Sequence, residues 1–190
     1  TQAFFAALTH ELRTPLTSVR LQSEAIAAGE PTQELIDRLL VDTHRLESQI
    51  DKTLELARIE GGGGLAEQAI KLDPWLERVL RGIVATEGES ANLDVTLQPD
   101  LPPVRGDTAA IQLILRNLVE NSIRHGDRAP IQLNVTAQRA GSGVELRYRD
   151  NGRGFEGDPT QLGRLFQRGG ASRGTGVGLY LVRVLMDRMG

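Results

Sequence analysis

Four consecutive glycines, Gly61–Gly64, constrain this chain more than any other feature. Glycine loses more backbone freedom on ordering than any other residue, so such a run suits neither helix nor strand and reads as a flexible linker. It divides the 190 residues into two pieces, each of which must find its own core. In the first piece, Leu8, Leu12, Leu16, Val19 and Ile26 recur at helical spacing, with Arg13, Arg20 and Glu24 between them. Gly29-Glu30-Pro31-Thr32 breaks the pattern, and Leu35, Leu39, Leu46, Ile50, Leu54 and Ala57 resume it. The spacing predicts helices over about 1–28 and 32–60, joined by a tight loop into an antiparallel hairpin with arms of roughly 40 Å. Two helices alone bury too little. The stripes therefore predict a second copy and a four-helix bundle dimer, in preference to packing on the rest of the chain.

The second piece alternates helices and strands. Asp73-Pro74 reads as a helix start, with the helix running to about residue 88. Leu93–Leu97 alternates as a strand, and 99–103 is loop. Asp107-Thr108 opens a helix that carries Ile111, Ile114, Leu115, Leu118 and Val119. Ile131, Leu133, Val135 and Ala137 alternate, as do Val144, Leu146 and Tyr148, with Gly141-Ser142-Gly143 as a hairpin turn between them. A last helix runs from about Val177 to Met189. Strands with helices to one side predict an α/β sandwich, so the whole chain is α+β. The expected domains are a helical hairpin over 1–60, a linker over 61–71 and an α/β domain over 72–190.

Composition narrows the function. With no cysteine, thiol catalysis, thiolate metal sites and disulfides are excluded. A formal net charge of −3 gives no bulk basic surface for nucleic acid. No apolar run approaches the ~20 residues of a membrane span, so no membrane contact is expected of these residues. The chain reads as a cytoplasmic fragment.

Two regions carry chemistry. The first is Phe4-Phe5-Ala6-Ala7-Leu8-Thr9-His10-Glu11-Leu12-Arg13-Thr14-Pro15-Leu16. His10 and Thr14 are four apart and share a helical face, and Glu11 is one step round, in reach of the imidazole. Pro15 cannot bond the Glu11 carbonyl, so a bend is expected there. As a string, these residues resemble the phospho-acceptor box of sensor histidine kinases.

The second region is nucleotide-like. Eleven of the 21 glycines lie between Gly141 and Gly178, a density that suits loops and close backbone approach. Asn117, Asn121 and Arg124 share one helical face; two asparagines at i and i+4 weaken a helix unless they bind something. Amide oxygens suit Mg²⁺, which takes hard ligands together with substrate phosphates. Asp150, in Asp150-Asn151-Gly152-Arg153-Gly154, ends a strand. Its carboxylate can accept from an exocyclic amine, which adenine offers where guanine has an oxygen. Gly174-Thr175-Gly176-Val177-Gly178-Leu179 stands directly before the last helix, where backbone N–H groups and the helix N-terminus favour phosphate.

In this order, the pieces resemble the ATP-binding domain shared by histidine kinases, gyrase-type ATPases, the Hsp90 chaperones and MutL, over about 72–190. The resemblance implies that Asn117 and Asn121 hold Mg²⁺ and phosphate, with Asn121 the surer metal ligand. It implies that Asp150 takes adenine in a pocket shaped by Gly152 and Gly154. Arg124 and the backbone of Gly174, Thr175, Gly176, Gly178 and Leu179 take phosphates. His125 stands where the family often has an aromatic and is expected to stack near the nucleotide. Leu165-Phe166-Gln167-Arg168 resembles the family's phenylalanine box, and 167–173 a short lid. The family normally continues into closing strands beyond the last helix.

The family's ATPases carry Glu at the position of Asn117, where it activates water, and an amide cannot act as that base. The resemblance therefore implies transfer of the γ-phosphoryl group of ATP to His10, then to an aspartate of a response-regulator receiver domain. Glu11 and Thr14 match residues linked in the family to dephosphorylating that partner. The implied protein is a homodimeric two-component sensor histidine kinase, bifunctional as a phosphatase, whose parent is an inner-membrane sensor. The alternatives are a gyrase- or Hsp90-type ATPase and a catalytically dead nucleotide-binding scaffold.

Overall fold

A computed structural model describes residues 2–29, 32–60, 64–86, 91–154 and 177–189. The chain forms two compact units, Thr1–Gly63 and Gly64–Gly190, divided within the glycine run.

The first unit is the expected hairpin. Helix α1 spans Gln2–Ala27 and α2 spans Gln33–Glu60, packed along each other. Thr32 accepts the Leu35 N–H through its hydroxyl, an N-cap that satisfies one of the free donors at the start of α2. Helix α1 continues through Pro15, which is buried, and the Thr17 hydroxyl donates to the Arg13 carbonyl across the same turn. Inside the hairpin the Ser18 hydroxyl and the Gln22 amide both donate to Asp42 Oδ2, at 2.6 and 3.0 Å. The apolar stripes are only part-covered: Leu16, Ile50 and Leu54 keep 59%, 45% and 63% of their surface exposed, and Leu40 and Val41, off the stripe, keep 55% and 66%. A lone hairpin cannot bury both stripes, which is the reason a second copy is expected.

The second unit begins earlier than the sequence suggests. Strand β1 (Gln68–Ile70) pairs antiparallel with β3 (Val104–Gly106), so residues expected in the linker belong to the folded unit. Strands of three residues are too short to show a period, and neither was expected. Asp107 ties this small sheet to α4 (Thr108–His125). Its Oδ1 accepts the N–H groups of Ala109 and Ala110 as N-cap of that helix, and its Oδ2 accepts the N–H of Ala66 at 2.8 Å. The carboxylate is 3% exposed because backbone donors replace its water.

The larger sheet has the order β2 (Ala91–Leu97), β4 (Ile131–Ala140), β5 (Gly143–Asp150), with β2 and β4 parallel and β4 and β5 antiparallel. The β4–β5 loop turns at Gly141, whose φ of 58° a side chain would oppose. Alternation puts Ile131, Leu133, Val135 and Ala137 on the buried face. Helix α3 (Leu72–Thr86) lays Leu76, Leu80 and Ile83 against them, and α4 adds Leu115 and Val119. Asp73 and Pro74 lie outside helical φ/ψ, so the regular turns of α3 start after the expected cap. Helix α5 (Val177–Met189) packs on α4, with Leu181 and Leu185 fully buried. The helices cover one face of the sheet, as an α/β sandwich requires.

The junction of α4 and β4 has no spare room. A Cβ added to Gly126 would stand 2.6 Å from both the Ser122 carbonyl oxygen and Ile131 Cδ1. Gly126→Ala is therefore expected to lower stability by about 2 kcal/mol, an overpacking cost, read as a fall in the unfolding midpoint. An unchanged midpoint would show that the junction yields freely.

Candidate functional site

Helix α4 links the nucleotide-type residues: the start of α5 lies against Asn117, and the end of β5 reaches Ser122 and Gly126. Helix α4 supplies Asn117, Asn121, Arg124 and His125. Asn117 does not face solvent, as a polar stripe would; it is 4% exposed. Its Nδ2 donates to the Leu113 carbonyl at 2.7 Å, which fixes the amide and leaves Oδ1 toward α5. There Gly178 comes so close that a Cβ would stand 2.9 Å from Asn117 Oδ1. The glycine thus has a packing reason as well as a chemical one: only bare backbone fits over the amide. Asn121, one turn on, is half-buried, and Leu179 lies beside Gly178 in the first turn of α5.

Asp150 ends β5 directly opposite Leu133 in the register, on the core face of the sheet. Both its oxygens are held. Oδ1 accepts the Gly152 N–H at 2.9 Å, and Oδ2 accepts the Ser122 hydroxyl at 2.7 Å. Asn151 continues the strand pairing by exchanging hydrogen bonds with the backbone of Gln132. A Cβ on Gly152 would stand 3.0 Å from Asp150 Oδ1 and 3.5 Å from the Gly126 Cα, so two backbones meet here. Gly154 takes a φ of 76°, a left-handed conformation that favours glycine.

Arg124 is exposed and His125 half-buried, at the end of α4 beside this loop. Burial, followed by the neighbouring Arg124 and Arg153 guanidinium groups, holds the His125 imidazole below its ordinary range. His125 is therefore a neutral ring near pH 7, while the two arginines carry the positive charge.

Two residues of this site were not singled out in the sequence. Ser122 is 4% exposed and bonds Asp150, and Tyr148 donates its phenol hydrogen to the Ser122 oxygen at 2.9 Å. Tyr148 had a signal: two residues before Asp150 on a strand, it must share Asp150's face. Ser122 had none, because only the packing of α4 on the sheet brings it there.

The acceptor box lies on α1 in the other unit. The helix carries His10, Glu11 and Thr14, with His10 and Thr14 one turn apart. The side chains of His10 and Glu11 lie outside the described residues; Thr14 is exposed. Phe166, Gly174, Thr175 and Gly176, with the expected lid, also lie outside them. Among the described residues no three His, Asp or Glu side chains form a metal cluster, and no helix is long and apolar enough to cross a membrane.

Comparison with known proteins bears on both units. The His Kinase A (phospho-acceptor) domain model matches residues 1–62, and the model of the histidine kinase-, DNA gyrase B- and HSP90-like ATPases matches 106–190. The chain belongs to the histidine kinases. Its two units are the phospho-acceptor hairpin and the ATP-binding domain of a histidine kinase catalytic core. The sensor protein SphS of Synechococcus elongatus is 35% identical over 95% of this chain and 47% of its own length. The sensor-like histidine kinase SenX3 of Mycobacterium tuberculosis is 28% identical over 95% of this chain and 46% of its own. The chain thus spans about half the length of these relatives. The Acinetobacter baumannii histidine kinase AdeS shares the fold, with a TM-score of 0.72 at 23% identity over 94% of this chain and 86% of that one.

Proposed function

We propose that this histidine kinase core transfers the γ-phosphoryl group of ATP to His10, then hands it to a receiver-domain aspartate of a response regulator. The observation that carries this reading is the pairing, in one chain, of a phospho-acceptor match over 1–62 with an ATPase-fold match over 106–190. A kinase needs both a nucleotide site and a held nucleophile.

In this reading Asp150 accepts the exocyclic amine of adenine, in a pocket whose floor is the Gly126–Gly152 contact. Arg124, Arg153 and the backbone at the start of α5 take the phosphates, and neutral His125 lies against the nucleotide. Of the two amides Asn121 suits Mg²⁺ better, being half-buried; Asn117 turns its oxygen, not its nitrogen, toward Gly178 of α5, which lies over it. The ion would offset charge on the transferring phosphoryl group. Asn117 cannot take a proton from water, which leaves the imidazole as the competent nucleophile. One ring nitrogen of His10, with Glu11 holding the proton on the other, forms the N–P bond as ADP leaves. The same phosphoryl group then passes to the receiver carboxylate. Dimerisation through residues 1–60 covers Leu16, Ile50 and Leu54 and completes a four-helix bundle.

Incubation with γ-labelled ATP and Mg²⁺ tests the kinase: label should appear in the peptide containing His10 and nowhere else. The reverse activity is assigned to Thr14, whose hydroxyl orients a water toward the phosphorylated partner. Thr14→Ala is expected to keep autophosphorylation within about twofold and slow partner dephosphorylation at least about tenfold, a range usual for one positioned polar group. Equal loss of both activities would contradict that division.

A further inference from the structure

Asp150 is the end of a chain of hydroxyls that runs across two elements. The Tyr148 oxygen lies 2.9 Å from the Ser122 oxygen, which lies 2.7 Å from Asp150 Oδ2. The direction of donation follows from chemistry. An ionised carboxylate only accepts, so Ser122 must spend its single hydrogen on Asp150. A Ser122 lone pair is then filled by the Tyr148 phenol, which donates to it. Burial, offset in part by the Ser122 bond and reinforced by the Asp150 charge, pushes the Tyr148 phenol up to about 12, so it stays a donor through neutral and moderately alkaline pH.

The chain is held at every point. Ser122 is 4% exposed on α4, and Tyr148 and Asp150 stand on the same face of β5, opposite Val135 and Leu133. With the Gly152 N–H on Oδ1, the carboxylate is fixed in one plane. Each oxygen keeps a lone pair for a further donor, in a direction the protein has set. A donor that polarises the next donor also strengthens the bond it feeds.

We infer that Ser122 and Tyr148 are positioning residues for base selection: they orient the Asp150 carboxylate toward a purine 6-amine and so set the preference for ATP over purine triphosphates that lack it. This rests on the assignment of adenine to Asp150. Neither residue touches the nucleotide, so their removal should cost the amine contact and little else.

The test compares binding of ATP and inosine triphosphate, which carries an oxygen in place of the 6-amine, to the full chain and its variants. Ser122→Ala should weaken ATP about tenfold and leave inosine triphosphate within about twofold, the size of one charge-assisted bond lost. Tyr148→Phe should move the ratio the same way by about threefold, and it keeps the ring that fills the core, so it stands in if Ser122→Ala misfolds. Equal weakening of both nucleotides, or an unchanged ratio in both variants, would overturn the inference. Asp150→Asn separates the two levels. If it keeps the preference for ATP, the adenine assignment fails and the positioning role falls with it. If it loses the preference while Ser122→Ala and Tyr148→Phe retain it, the positioning role alone fails.

Discussion

The His10→Gln chain is expected to bind ATP with unchanged affinity and to take up no phosphate at all. The reason is chemical. Phosphoryl transfer here needs a neutral nitrogen nucleophile, and an imidazole with an unperturbed pKa of ~6.5 supplies one near neutral pH. A glutamine amide has no comparable lone pair. The box sits on α1 in the first unit, while the residues assigned to the nucleotide all lie in the second. Binding should therefore survive, measured by titration with a fluorescent ATP analogue, while acid-labile protein-bound label falls to background. Label retained on another residue would show that the nucleophile is misassigned.

The second large effect is expected at Asp150. Asparagine keeps the shape but offers one oxygen and one NH₂ group. Gly152 can only donate, so the amide must turn its oxygen to Gly152 and its NH₂ to Ser122, whose hydroxyl then has to accept where it had donated. The variant reverses one internal bond and loses the charge on the acceptor meant for adenine. Hydrogen bonds to charged groups contribute about 1.5–3 kcal/mol. Asp150→Asn should raise the Kd for ATP by roughly 10- to 150-fold, since each ~1.4 kcal/mol is a factor of ten. Phosphorylation at limiting ATP should fall in proportion and recover at saturating ATP. An unchanged Kd would remove Asp150 from the base pocket.

Much of this was legible in residue order, and the remainder was hidden for identifiable reasons. The hairpin followed from stripes such as Leu8–Leu12–Leu16 and Leu35–Leu39, because a sustained 3.6-residue period has few other solutions. Asp107 announced α4, and the alternation of Ile131 to Ala137 announced β4. Strands β1 and β3 escaped because three residues cannot establish a period; their place is set by the Asp107 carboxylate catching Ala66. That is also why the linker looked longer than the glycine run. At the site, Asn117, Asn121 and Asp150 were visible because polar residues at such positions are locally unfavourable. The burial of Asn117 against Gly178 was not visible, nor was the meeting of Ser122 with Asp150, 28 residues away. Contacts between elements depend on how α4 lies on the sheet, which no local period encodes.

The proposed transfer of phosphate to an imidazole, and not to water, can be measured directly in a single turnover. The full chain is mixed in excess with γ-labelled ATP and Mg²⁺, and the label is divided between protein and free phosphate as ADP forms. Label is expected to leave ATP onto protein as an acid-labile, alkali-stable phosphate at His10, with free phosphate trailing behind it. Free phosphate forming in step with ADP, on a protein that never carries label, would refute transfer to the imidazole.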